Sequence, residues 1–165
     1  MTKVRSQLPV LPSLLDRLID DEPDQAFEST RSAPALLQDI KTNLRRDLEW
    51  LLNTRLYRPQ RFDQYPELRR SLVAYGLPDF STVQLGSEEH REEFRAIIQA
   101  TIERLEPRLR RVQVEISPAG EAHERTLYLR INAMLLIEPD PVPLLFDSRI
   151  RTLDRAVQLQ ELRHG

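Results

Sequence analysis

Glu106-Pro107-Arg108-Leu109-Arg110-Arg111-Val112-Gln113-Val114-Glu115-Ile116 is the stretch where the chain changes its period. Before it, Phe94, Ile97, Ile98, Thr101, Ile102 and Leu105 recur at three- and four-residue spacing, the pattern of a helix with one buried stripe. Ser87 is placed to cap that helix, with Glu88 and Glu89 against its positive end. Pro107 stops it, because the residue before a proline is pushed out of the helical region. After the proline, Val112, Val114 and Ile116 alternate with Arg111, Gln113 and Glu115, the two-residue period of a strand. Pro118 to Glu121 turns the chain, and Thr126 to Ile137 reads as a long strand with Leu127, Leu129, Ile131, Ala133, Leu135 and Ile137 on one face. Glu138 to Pro143 is a stiff, proline-rich connector. Leu145 to Arg151 and Ala156 to Gln160 read as a hairpin about Thr152 to Arg155. Helices first and strands afterwards predict an α+β fold, N-terminal helices on a C-terminal antiparallel sheet of three to four strands.

Working towards the N-terminus, Glu67 to Tyr75 predicts a short helix that Gly76-Leu-Pro-Asp79 breaks. Arg55, Tyr57, Arg58, Arg61, Phe62 and Tyr65 interleave cations and rings in a connector that Pro59 and Pro66 keep from being regular helix. A long helix is predicted from Ser32 to about Thr54, with Leu37, Ile40, Leu44, Leu48 and Leu51 inward. Lys41, Arg45, Arg46, Asp47 and Glu49 make its other face, read as solvated or partner-facing. A short helix follows Ser13, with Leu14, Leu15, Leu18 and Ile19 on one side, and must dock on the domain or on another protein because so few turns are marginal alone. Asp20 to Asp24 ends it in a polar loop. Residues 1–30 thus read as a docking helix with an acidic tether, and 31–165 as one α+β domain.

Composition limits the chemistry. Of 165 residues 40% are hydrophobic and 30% charged, in the range of globular proteins, and the formal net charge is −2, so no global positive field collects nucleic acid or anionic lipid. There is no cysteine, which excludes thiolate catalysis and cysteine metal sites and fits a reducing compartment. Of 24 basic residues only Lys3 and Lys41 are lysines, and arginine is the cation suited to bidentate interface contacts. No apolar run has the span of a bilayer or the core of a signal peptide, so a cytoplasmic protein is expected. The acidic clusters at Asp20 to Asp24 and Glu88 to Glu93 lie on a loop and a helix start, where solvation and the helix dipole explain them, and no carboxylate pair is marked out for catalysis. His90, His123 and His164 are scattered without a coordinating set. No nucleophile elbow and no phosphate-cradling glycine loop is present. Catalytic residues, metals and cofactors are therefore all expected to be absent. The arginine and aromatic run at 55–65 keeps a nucleic-acid-binding reading in view, against which the near-neutral charge speaks. Glu106-Pro107-Arg108 is the most unusual local feature: proline locks the backbone between an acid and a guanidinium, either to present both to a partner or to close them into an intramolecular salt bridge.

Glu106-Pro107-Arg108 with the strand that follows resembles the Glu-Pro-Arg motif and first strand of the phage baseplate-wedge family, historically labelled lysozyme-like. Leu14 to Pro23, Asp47 to Arg55 and Tyr75 to Asp79 are similar to its TssE branch, the wedge subunits of bacterial type VI secretion systems, so the resemblance covers nearly the whole chain. It implies a non-enzymatic structural protein at the cytoplasmic, membrane-docked baseplate, without membrane insertion or nucleic acid. The implied partners are the wedge subunits TssF and TssG, TssK, and the sheath subunits TssB and TssC, whose assembly it helps to initiate. Carried over by position, Glu106 and Arg108 are interface residues with Pro107 fixing their geometry, and Leu14, Leu15, Leu18 and Ile19 dock on a wedge partner. The resemblance also implies that sheath strands extend the sheet, which the residues make plausible if the long strand and C-terminal hairpin leave an edge with unpaired backbone groups. Glu138 to Pro143 is the alternative occupant of that edge. The rival reading from the family's old label, a peptidoglycan hydrolase, lacks a catalytic pair in this chain.

Overall fold

The computed structural model describes residues 13–19, 32–57, 64–79, 87–118, 126–137, 140–151 and 157–162. The helices are α1 (Leu14–Leu18), α2 (Ala33–Asn53) and α3 (Glu88–Leu105), and the strands β1 (Leu109–Pro118), β2 (Thr126–Leu135), β3 (Val142–Arg151) and β4 (Leu159–Glu161). The four strands form one antiparallel meander in the order β1-β2-β3-β4. Both long helices cover the same face, α3 beneath β1 and α2 beneath the β4 side. The fold is α+β, as the change of period at Pro107 predicts.

The core follows from the two periods. Ile40, Leu44, Leu48, Leu51 and Leu52 of α2, with Phe94, Ile98 and Ile102 of α3, meet the alternate residues Val112, Val114, Leu127, Leu129, Ile131, Ala133, Leu135, Leu144, Phe146, Ile150 and Leu159. Each such large side chain contributes roughly 1.5–3 kcal/mol by leaving water. Leu37 is only partly buried, at the outer end of α2. The Ser87 hydroxyl accepts from the His90 amide as an N-cap, whereas Ser32 makes no side-chain cap and α2 starts on its proline instead.

Several boundaries differ from the sequence reading. The strand after Pro107 begins at Leu109, and its register slips between Arg110 and Gln113 because Arg111, at φ 53°, forms a bulge. The bulge returns Leu109 and Val112 to the same buried side despite their odd spacing. Glu67 to Tyr75 is two 3₁₀ turns, Pro66–Arg70 and Leu72–Ala74. The proline-rich connector ends inside the sheet: Val142 and Pro143 pair with Leu135 and Met134, so this part of it does not shield an edge. Pro143 is tolerated because odd β3 residues turn their amides towards β4, and the described part of the C-terminal strand bonds to β3 no further than Leu145. Asp20 to Asp24, Arg58 to Phe62, the turn at 152–155, His123 and His164 lie outside the described residues.

The polar face of α2 is half-buried and pairs with the C-terminal strand. Lys41 pairs with Glu161 at 2.7 Å, the Arg45 guanidinium donates to the Leu159 carbonyl at 3.4 Å, and the Glu49 carboxylate accepts from the Leu159 amide at 2.8 Å. The Asn53 amide closes a double bond with Val157, donating to its carbonyl at 2.9 Å and accepting from its amide at 2.8 Å. These four side chains stand four residues apart on one ridge of α2 that runs alongside the C-terminal strand. Arg45 and Glu49 both meet Leu159, Asn53 meets Val157, and these three bind backbone groups that β3 does not use. At Val157 and Leu159 the outer edge of the hairpin is capped by side chains.

Candidate interaction site at the Glu-Pro-Arg corner

Helix α3 delivers its last turn to the corner, where the Glu106 amide still donates to the Ile102 carbonyl at 2.8 Å while Glu106 leaves helical geometry at φ −117°, ψ 84°. Pro107 then turns the chain, and the Leu109 amide donates back to the Glu106 carbonyl at 3.2 Å. The Arg108 carbonyl accepts from the Leu136 amide at 2.9 Å, which ties the corner to the end of β2. Pro107 is exposed, Arg108 is half-buried and Glu106 is buried, at 7% exposure.

The two charged side chains close on one another. Arg108 Nε donates to Glu106 Oε1 at 2.7 Å and Nη2 to Glu106 Oε2, a two-point contact of fork and carboxylate. The same Nη2 reaches Asp47 Oδ2 on α2 at 2.7 Å. Asp47 Oδ1 accepts from Arg46 Nη2 at 3.1 Å, and that Nη2 also donates to Asp16 Oδ1 on α1. Glu106, Arg108, Asp47, Arg46 and Asp16 thus form one row of alternating charge across two helices and the corner. The sequence reading left presentation and closure both open for Glu106-Pro107-Arg108; the geometry is closure, with a fraction of the guanidinium still at the surface.

The electrostatics follow from this row. Hydrogen bonding to Glu106, reinforced by Asp47, holds the Arg108 guanidinium charged well above its ordinary value against the opposing effect of burial. Burial alone pushes the Asp16 carboxyl up, but the Arg46 guanidinium and the Ser13 cap together hold it below its usual value. Burial raises the Tyr75 phenol, and the charges of Asp47 and Glu106 raise it further, so a neutral ring borders the corner.

The second group of predicted site residues is on α1. Ser13 and Asp16 form a reciprocal capping box, each backbone amide donating to the other side chain at 3.2 Å. Leu14 and Leu18 are 72% exposed, and Leu15 and Ile19 are also exposed, so the apolar side faces away from the domain. Trp50 is exposed on α2, with the Arg46 guanidinium 4.9 Å from its ring centroid. The structure joins α1 to the corner through Asp16, Arg46 and Asp47; the sequence reading placed Arg46 and Asp47 only on the polar side of α2 and did not count any of the three as site residues. Their signal is the run Arg46-Asp47 one turn before Trp50, legible only once the pairing partner Arg108 is known.

Of the aromatic and basic connector, Arg55 forms an isolated bridge with Leu77, and Tyr57 and Tyr65 are exposed. Among the described residues no group of three acidic or histidine side chains is placed to hold a metal, and no helix is long and apolar enough to cross a membrane.

The profile of the family described as "Baseplate wedge protein gp25" matches residues 38–140, well over half of the chain. The chain belongs to this family. The match starts in α2, takes in Asp47 and the Glu106-Pro107-Arg108 corner, and ends just before β3, so the wedge protein's α1 and its capped C-terminal strand lie outside the matched span. Membership makes it a structural component of a baseplate. No curated protein sequence matches it. The fold is also similar to a chain in a solved structure described as "The baseplate complex from the type VI secretion system", with 18% identity over 79% of this chain and 99% of that chain and a TM-score of 0.49.

Proposed function

We propose that this baseplate wedge protein is the wedge subunit of a type VI secretion system, acting at the cytoplasmic, membrane-docked baseplate. It joins TssF, TssG and TssK there, and it helps initiate assembly of the TssB/TssC sheath. The observation that carries the reading is the rigid Glu106-Pro107-Arg108 corner inside the family-matched span. The similarity of Leu14 to Pro23, Asp47 to Arg55 and Tyr75 to Asp79 to type VI wedge subunits supports the choice of system.

In this reading the protein works by shape and contact, without catalysis. Arg108 holds the corner by spanning Glu106 and Asp47, and its remaining surface meets a partner. Leu14, Leu15, Leu18 and Ile19 supply an apolar face for a wedge subunit, since such side chains gain from burial and find no cover in the described part of the domain.

The test replaces Arg108 by Ala and Glu106 by Gln and measures sheath assembly and wedge co-purification in the native host. Both fall while the variants remain folded; unchanged assembly by a folded variant removes the corner from the interface. Incubation of the pure protein with peptidoglycan releases no sugar fragments. Release that a carboxylate substitution abolishes overturns the assembly reading in favour of a hydrolase.

A further inference from the structure

Two features of the charge row go beyond holding a corner together. The first is how its arginines are used. Arg46 serves Asp16 and Asp47 with one nitrogen, Nη2, and its buried Nε has no partner among the described residues. Arg108 likewise serves both Glu106 and Asp47 with its Nη2. Each guanidinium is divided between two acids instead of being saturated by one, so removing one acid lets the arginine settle fully on the other.

The second feature is the way α1 is held. None of its residues belongs to the hydrophobic core, and its large apolar side chains are exposed. Its described attachment to the domain is the Asp16 to Arg46 ion pair, with an Asp16 side chain only 4% exposed. It is a single-point ion pair whose arginine keeps 27% of its side chain exposed, on a helix too short to be stable by itself. A helix that turns its apolar side outward and is held by charge can exchange that one contact for burial of its leucines against a partner.

We infer that the row Asp16–Arg46–Asp47–Arg108–Glu106 is a relay that couples release of α1 to the freedom of Arg108 at the corner. When Asp16 leaves, Arg46 turns wholly to Asp47. Asp47 is then shared less with Arg108, whose outer nitrogen becomes available to an acidic group of a partner. Occupation of α1 and engagement of the corner thereby favour one another, because whatever binds the released helix has already loosened Arg108, and the linkage is reciprocal. The inference rests on the proposed function only in taking a wedge subunit as the occupant of the α1 apolar face.

The relay is testable without any partner. In the full-length protein, Asp16→Asn removes the latch charge three links along the row from Arg108. Solvent exchange of the Arg108 guanidinium protons, followed by NMR, then speeds at least fivefold, while that of Arg130, paired with Asp147 on the sheet, stays as in wild type. An unchanged Arg108, or equal acceleration at Arg130, overturns the relay. A double-mutant cycle reads the same coupling. The effects of Asp16→Asn and Arg108→Lys on the unfolding equilibrium constant combine at least fivefold away from their product, whereas those of Asp16→Asn and Arg130→Lys multiply within twofold. Multiplicative behaviour of the first pair overturns the relay. Adding purified TssF and TssG to the wild-type chain then tests the occupant separately: binding without accelerated Arg108 exchange sinks the coupling, and no binding with a positive Asp16→Asn result sinks the occupant alone.

Discussion

Arg108 shows how one side chain is set by its neighbours. Glu106 is buried by the turn that Pro107 imposes, and a buried carboxylate needs a cation with donors to spare. Arg108 supplies Nε and Nη2 to Glu106 and reaches Asp47 as well, a pattern that lysine's single ammonium lacks. Arg108→Ala therefore destabilises by about 2–3 kcal/mol, below the range for a fully buried pair because the guanidinium keeps some solvent, and Arg108→Lys destabilises by less. Urea denaturation followed by circular dichroism checks the order. Gly76 is the other residue fixed by geometry. It sits at φ 103°, and a Cβ there would lie 2.4 Å from the Thr54 carbonyl oxygen, which accepts from the Leu77 amide in the bridge joining the end of α2 to the 3₁₀ turns. Gly76→Ala combines backbone strain with a clash and costs more than about 1 kcal/mol, read as a lower urea midpoint at unchanged slope.

At the scale of elements, legibility divides by how local the cause is. Helix α3, the stop at Pro107 and the inward residues of β2 were readable because each depends on spacing within one segment. The bulge at Arg111 was not, since it depends on how β1 meets β2, and neither was the role of the α2 polar ridge, since nothing in Lys41, Arg45, Glu49 or Asn53 says which strand runs alongside. The Glu106-Pro107-Arg108 corner was legible as a rigid unit, but its closure through Asp47 needed the third dimension. The ridge makes its own prediction. Asn53→Ala strips both bonds from Val157 and leaves a buried amide unsatisfied, so it costs about 1–3 kcal/mol and speeds amide exchange at residues 157–161 before the rest of the sheet. Uniform acceleration across β1 to β4 would contradict a local clamp. Helix α1 carries a pH prediction. The Asp16 carboxyl is held below its ordinary value of 3.8, so its contribution to docking is complete above that value and is lost as pH falls through the lowered one. Because Arg46 lies against Trp50, tryptophan emission reports the release in acid, and Asp16→Asn abolishes that step.

At the scale of the whole molecule, the proposed docking helix stands apart from the described core. Among the described residues the buried core lies within 40–159, and the apolar side chains of α1 lie outside that cluster. The sequence reading expects a division into residues 1–30 and an α+β domain from 31 onward. If that division is physical, removing residues 1–31 costs the domain little more than the Asp16 to Arg46 pair. Ion pairs of that kind contribute up to about 1 kcal/mol. For a domain of this size 1 kcal/mol moves the melting temperature by about 2–4 °C, so the truncated chain melts in one cooperative step within that distance of the full one. In the native host the same truncation abolishes co-purification with the wedge subunits, because the exposed leucines of α1 have gone. A fall of more than about 10 °C shows that the N-terminal segment is part of the folding unit. A stable truncation that still co-purifies moves the wedge contact off α1 and leaves the Glu106-Pro107-Arg108 corner as the surface to examine.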